Sequence, residues 1–283
     1  MNISHCSLLA FPSTFLGLAL SSGIALATDY VDDLRKNDYK WLQLNLMYAY
    51  KELPRPEHGD IPSGHNYFEV EFGGRSGFLQ LYGYADIFNL SNQKSSDKFE
   101  KEKSFVKLSP RFSLDGIFNR DFSFGPVQEL YFSTLFNWGG GYTKEGFDPV
   151  NNSFWGVGSD ISFPWLGTIG FNLYGLYDLN KKKWNGYQVS TTWFKSFYAF
   201  SNNSFLAYQG YIDYQFGAKK DYAGGQQKTT GGAMYNGLYW HSEHFSVGYG
   251  LKLYQDAYLI ENKGPSGLES TGVSHYLSIG YKF

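Results

Sequence analysis

The sequence predicts an all-β protein, a transmembrane antiparallel up-and-down β-barrel of about twelve strands, and three observations carry that prediction. Apolar and polar residues alternate with period two from Trp41 onward. The connections between alternating segments are long and short in turn, as when one barrel end carries extracellular loops and the other periplasmic turns. The last residues, 275–283, alternate and finish on Phe283. Composition narrows the choice. Seven Trp, 24 Tyr and 25 Phe make the chain 20% aromatic, yet its mean hydropathy is −0.36. Disordered chains are poor in aromatics. Helical membrane proteins need repeated apolar runs of about 20 residues. With 24 basic and 26 acidic residues the net charge is −2, which offers nucleic acid no polybasic surface.

Residues 1–27 hold no Lys, Arg, Asp or Glu, and 8–11 and 15–20 are apolar. Ala25-Leu26-Ala27 follows as an A-x-A cleavage signal, so this segment reads as a secretory signal peptide, although it lacks a basic start. Cys6, the single cysteine, lies inside it, so residues 28–283 form a barrel without disulfides or cysteine-ligated metal.

Alternation is clearest in 41–48, 67–72, 79–87 and 106–115, and recurs in 128–138, 153–162, 168–178, 186–195, 204–216, 231–240, 244–254 and 273–283. Pro110 falls within a strand and is tolerable only at a bulge or an unpaired position. Long connections are expected at 51–65, 89–103, 139–151, 217–230 and 255–272, short ones at 73–77, 163–167 and 241–243, and intermediate ones at 116–127, 179–185 and 196–203.

Alternation alone does not distinguish a soluble sandwich from a barrel with its apolar face outward. Aromatic residues near strand ends (Tyr48, Tyr50, Phe136, Trp138, Trp193), the export signal and the C-terminal pattern favour the barrel. That terminal pattern resembles the strand that outer-membrane barrels present to their assembly machinery. The inner face then receives Glu69, Glu71, Tyr82, Tyr84, Asp86, Lys107, Arg111, Asp115, Glu129, Tyr131, Asn137, Asn172, Tyr174, Asp178, Gln209, Tyr211, Asp213 and Lys252. Phenols interleaved with both signs of charge suit a sugar or nucleoside pathway, whereas an anion pore would need a basic excess. The plainer alternative is that these charges pair across the lumen and stiffen a narrow barrel.

No enzyme is expected. Catalysis would need a His beside a Ser nucleophile or an Asp dyad, and His241, Ser242 and His244 fall in a tight turn. A zinc pair at His241 and His244 would lack a third ligand beyond Glu243, and no cofactor is implied. The glycines at 73–77 and 139–141 are turn glycines without the Lys-Ser/Thr and helix of a phosphate loop.

Several blocks carry a family resemblance. Residues 36–41 (Lys-Asn-Asp-Tyr-Lys-Trp), 71–77 (Glu-Phe-Gly-Gly-Arg-Ser-Gly) and 81–90 resemble the OmpK branch of the nucleoside-specific channel-forming Tsx family. Pro110-Arg111-Phe112-Ser113-Leu114-Asp115 and 122–126 are similar to both branches, and 184–187 and 280–283 extend the likeness. The resemblance implies a monomeric barrel of twelve strands in a Gram-negative outer membrane, a narrow nucleoside-permeable channel, and loops used by bacteriophage or colicin. The Tsx branch has a Phe-Gly pair near the end of its first strand; here that region reads Tyr50-Lys51-Glu52-Leu53-Pro54. The expected pathway residues are Glu71, Tyr82, Tyr84, Asp86, Arg111, Glu129 and Tyr131, with nucleosides or similar small solutes as partners. The rival readings are a general small-solute pore and a structural or receptor barrel with a blocked lumen.

Overall fold

Period-two alternation becomes a closed sheet in the computed structural model, which describes residues 34–57, 64–141, 149–222 and 227–283. The segment read as a signal peptide, with Cys6, and His58 lie outside the described residues. The strands are β1 (Tyr39–Tyr50), β2 (Arg55–Pro56), β3 (Gly64–Ser76), β4 (Leu79–Phe88), β5 (Ser104–Ser113), β6 (Val127–Gly140) and β7 (Asn151–Phe163). There follow β8 (Gly167–Asp178), β9 (Lys183–Ala199), β10 (Phe205–Phe216), β11 (Gly231–His241), β12 (Phe245–Gln255), β13 (Leu268–Glu269) and β14 (Gly272–Lys282). One short helix, α1 (Leu114–Phe118), follows β5.

All strands but β2 and β13 form one closed antiparallel barrel, in the order β1-β14-β12-β11-β10-β9-β8-β7-β6-β5-β4-β3. Closure is made by β1 against β14, from Gln43↔Lys282 to Tyr50↔His275. No helix among the described residues is long and apolar enough to cross a membrane; the strands do so. The short β2–β13 ribbon ties two loops, with Arg55 Nε 3.1 Å from Glu269 Oε2.

The two ends differ as expected. Residues 77–78, 164–166, 200–204 and 242–244 turn at one end, which also holds the 114–126 connection, and the other long connections gather at the opposite end. The 179–185 connection is shorter than expected, because β9 already begins at Lys183. Apolar side chains face outward, where Leu46, Val157 and Ile279 are about 60% exposed (62%, 60% and 60%), beside Tyr48, Tyr50 and Trp138. Trp193 pairs with Tyr208 at a ring distance of 5.8 Å.

Three expectations need correction. Of the glycines read as turn glycines, Gly73 and Gly74 are strand residues of β3 and Gly139 and Gly140 of β6, so only Gly77 and Gly141 fall in turns. Asp115 is not a strand residue lining the inner face. β5 stops at Ser113, whose side chain caps α1 by accepting from Gly116 N–H. The Asp115 carboxylate instead accepts from the backbone N–H of Phe122 and Leu130, pinning the returning chain. Nor is the interior uniformly polar. Leu135, Phe154, Tyr174 and Leu176 form a buried cluster on β6–β8, because a narrow barrel must fill its own inside.

Pro110 explains its own tolerance. It pairs with Leu81 of β4, but the β5–β6 ladder is interrupted between Leu108↔Phe136 and Arg111↔Ser133. Side chains span the gap: Ser109 Oγ donates to Thr134 O at 3.3 Å, and Thr134 Oγ1 donates to Pro110 O at 3.0 Å. The hydroxyl of Ser109 thus replaces the donor that proline lacks. Ser109→Ala should cost about 1 kcal/mol, the usual size of one such bond, read as a lower midpoint for urea unfolding in detergent or bilayers.

Candidate functional site

The inner positions of neighbouring strands build two unlike walls. On β3 and β4 the register sets Glu69 beside Asp86 and Glu71 beside Tyr84. Asn45 of β1 donates to Glu69 Oε1 at 2.7 Å, and Gln43 donates to Asn45 Oδ1 at 2.6 Å. Tyr82 OH donates to Glu71 Oε1 at 2.8 Å. A ladder of rings, Trp41–Tyr82, Tyr82–Tyr84 and Tyr84–Phe105, rises beside these carboxylates with centroids 6.0–6.2 Å apart. This wall accepts hydrogen bonds.

The adjoining wall, from β10 to β14, which meets the first where β14 pairs with β1, is built of tyrosines. Tyr211 stacks on Tyr235 at 5.7 Å, and Tyr235 meets Tyr276 edge-on at 5.8 Å. Hydroxyl pairs lock it: Tyr235–Tyr239 at 2.6 Å and Tyr254–Tyr276 at 2.8 Å. Lys252 sits over Tyr254 at 5.0 Å and over Tyr211 and Tyr276 at 5.8 Å, a cation held against ring faces. The rings lie flat because β12 has glycine beneath them. A Cβ on Gly250 would come within 2.1 Å of Tyr235 Oη, and one on Gly248 within 2.2 Å of the Tyr239 ring.

One ion pair crosses the interior. Lys107 Nζ on β5 lies 3.0 Å from Asp213 Oδ2 on β10. Four strands separate β5 from β10 one way round the barrel and six the other, so this pair joins nearly opposite walls. Ser190 Oγ of β9 holds Asp213 at 2.6 Å, and Lys107 lies 5.5 Å from the Tyr211 centroid and 5.8 Å from that of Tyr84. The pair is partly accessible, with side chains 15% and 25% exposed.

The seven expected pathway residues therefore fall into two groups. Glu71, Tyr82, Tyr84 and Asp86 lie together on the acceptor wall. Arg111, Glu129 and Tyr131 lie nearer the short-turn end in a closed polar network. Arg75 makes a fork to Glu129, Nη1–Oε2 2.8 Å and Nη2–Oε1 2.6 Å. Tyr131 OH bonds both Glu129 and Asp160, and Arg111 Nη2 bonds Asp160 at 2.8 Å while its guanidinium covers the Tyr131 ring at 3.8 Å. Ser113 Oγ also donates to Glu129. This group follows the plainer reading, in which charges pair and stiffen the barrel. Tyr235, Tyr239, Tyr254, Tyr276 and Asp160 were not among the expected inner residues, although each occupies an inward position in its alternating segment.

At the long-loop end the loops fold over the mouth. Glu52 accepts from Tyr276 OH at 3.0 Å, lies 3.0 Å from Lys98 Nζ and lies 3.6 Å from His65 Nε2. His65 Nδ1 is 2.8 Å from Asp97. Burial opposes the charge of Glu52, but Lys98, His65 and Lys252 outweigh it and hold its carboxyl well below the usual carboxylate range. The two turn histidines diverge. His241 is buried and stacked on Phe205 at 5.0 Å, and the more exposed His244 stacks on Tyr281 at 6.0 Å.

Comparison with known proteins bears on this lumen. Residues 36–283 match the family described as nucleoside-specific channel-forming protein, Tsx. Outer membrane protein OmpK of Vibrio parahaemolyticus is 56% identical over 267 residues, covering 94% of this chain and 96% of that protein. The nucleoside-specific channel-forming protein Tsx of Klebsiella pneumoniae is 26% identical, covering 94% and 98%. Among solved structures the KdgM porin aligns over 85% of this chain and 99% of its own, at 7% identity and a TM-score of 0.45.

Two outcomes are expected. Lys107→Ala should raise single-channel conductance in planar bilayers, because it removes the side chain that crosses the lumen; unchanged conductance would put the path elsewhere. A carboxyl held low when folded stabilises at full strength above its unfolded value, about 4.3 for Glu, and loses that contribution as pH falls below it. Protection of the 89–103 amides against hydrogen exchange, taken relative to the intrinsic rate at each pH, should therefore fall in acid, and Glu52→Gln should flatten that part of the pH profile.

Proposed function

Because the chain belongs to the nucleoside-specific channel-forming Tsx family, on its OmpK branch, and is an outer-membrane channel of a Gram-negative bacterium and not an enzyme, we propose that its lumen passes nucleosides by passive diffusion. The observation that carries this reading is the pairing of walls: stacked tyrosines on β10–β14 adjoining carboxylates and amides on β1, β3 and β4. A base presents a π-face to the first wall, and sugar hydroxyls donate to the second. Base–aromatic stacking is worth about 1–3 kcal/mol per base, and sites this weak release the solute onward as a channel requires. Export by residues 1–27 as a signal peptide completes the proposal for its route to the membrane.

The long-loop face supports a second role as a phage or colicin attachment site. Its loops are tied to one another by Arg55–Glu269, Lys98–Glu52 and Lys263–Glu57, which gives a visitor a fixed surface. Deleting 89–103 should then abolish phage adsorption while solute uptake persists.

Liposomes holding the purified protein should admit adenosine faster than a sugar of similar mass. Tyr84→Ala with Tyr235→Ala should erase the difference, since loss of stacking worth about 1.4 kcal/mol weakens binding roughly tenfold. Equal rates in the unaltered protein would reduce it to a general small-solute pore.

A further inference from the structure

The outer rim is electrically lopsided. On the arc formed by loops 51–57, 89–103 and 256–271, the charges balance: Lys51, Arg55, Lys94, Lys98, Lys101, Lys103 and Lys263 stand among Glu52, Glu57, Asp97, Glu100, Glu102, Asp256, Glu261 and Glu269. Ion pairs run from Arg55 to Glu269, Lys98 to Glu52, and Lys263 to Glu57 and Glu269. Lys228, at the end of the β10–β11 loop, reaches the same arc through Glu261. The β8–β9 turn and the first part of the β10–β11 loop are different. They carry Lys181, Lys182, Lys183, Lys219 and Lys220, all exposed, and none of the five is in an ion pair among the described residues. Asp221 is the one exposed carboxylate beside them, because Asp178 is already engaged by Tyr222 OH at 3.0 Å and by Lys181 N–H at 2.9 Å.

These lysines are held as a group. Lys181 Nζ donates to Tyr222 O at 3.3 Å and lies 4.5 Å from the Tyr222 ring centroid, which locks the turn to the neighbouring loop. Asn185 Oδ1 accepts from Lys219 N–H at 3.0 Å, a second tie between the same two segments. Directly below on the outward face stand Trp184 (53% exposed) and Tyr187 (54% exposed), with Trp155 beside them. Such aromatics settle at the level where the hydrocarbon meets the headgroups. A lysine cluster immediately above them therefore stands at headgroup height, with its long stems free to reach sideways.

We propose that this arc is a binding surface for phosphate groups on outer-leaflet lipid headgroups. Five ammonium groups against one exposed carboxylate, on two mutually bonded segments, supply the charge, and the aromatic patch beneath receives the acyl chains of the same lipid. A lipid is the occupant that uses both parts at once. An acidic protein visiting from outside would engage the lysines and leave the tryptophans untouched.

The test uses the full chain in uncharged detergent, titrated with a diphosphorylated glycolipid and, separately, with its dephosphorylated form. The unaltered protein should bind the phosphorylated lipid at least tenfold more tightly, with an advantage that shrinks as salt is raised. In K181Q/K182Q/K183Q/K219Q/K220Q that advantage should disappear, while Lys263→Gln on the paired arc keeps it. Gel mobility before and after boiling reports whether the variant barrel is folded. Should the fivefold variant fail to fold, K182Q/K220Q, which touches neither of the ties described above, should still lower the advantage by about threefold or more. Equal binding of the two lipids by the unaltered protein overturns the proposal. So does full retention of the preference in either folded variant, including the case where only adsorption of an acidic protein is lost.

Discussion

The pairing of β1 with β14 is the constraint on which the rest depends. A backbone in hydrocarbon has no water to satisfy its N–H and C=O groups, so the sheet must close on itself. The eight register pairs from Gln43↔Lys282 to Tyr50↔His275 accomplish this. Closure at twelve strands fixes the circumference, and therefore how much room the inner side chains have. In that room Lys107 can reach Asp213 on a nearly opposite wall. The crossing pair, the flat tyrosines and the internal apolar cluster all follow from a narrow closed cylinder.

The inner charges serve two purposes according to their partners. Near the short-turn end Arg75, Glu129, Arg111 and Asp160 satisfy one another with forks and phenol bridges, and the Arg75–Glu129 side chains are only 5% and 3% exposed. Removing one member would leave a buried charge alone, which is far costlier than never having had the pair. Higher up, Glu69, Glu71 and Asp86 crowd together, with neutral donors such as Asn45 and Tyr82 among their partners. Carboxyl groups so close to each other present several acceptor oxygens to whatever enters. The first group makes a wall; the second makes a surface with unspent acceptor capacity.

Most of the fold was legible because the strand period of two survives wherever one face meets lipid. Every barrel strand lies where alternation placed it, and even β9, which starts three residues early, keeps its inward Gln188 and Ser190. Legibility failed where geometry is not periodic. After Ser113 the chain turns into α1, and Asp115 becomes a cap for returning backbone although its position in the alternation is inward. The rule that apolar means outward failed at Leu135, Phe154 and Leu176, because a narrow barrel has a packed inside as well as a greasy outside. The acceptor wall was readable from Glu69, Glu71, Tyr82, Tyr84 and Asp86 because its strands are neighbours in sequence. The tyrosine wall was less so, although its strands are neighbours too: on β11 the inward Tyr235 and Tyr239 alternate with the outward apolar Met234, Leu238 and Trp240, so a large ring does not by itself mark a face.

The glycines beneath the tyrosine wall have a consequence for how such a channel diversifies. Gly248 and Gly250 leave no β-carbon where Tyr239 and Tyr235 rest against the sheet. The bore is thus set by atoms that are missing from the wall as much as by those that project from it. A single methyl group added at either position would push a ring toward the axis without altering any residue a solute touches. Permeability in this fold can be adjusted from behind the lining, in steps of one carbon, while the recognition chemistry in front stays the same.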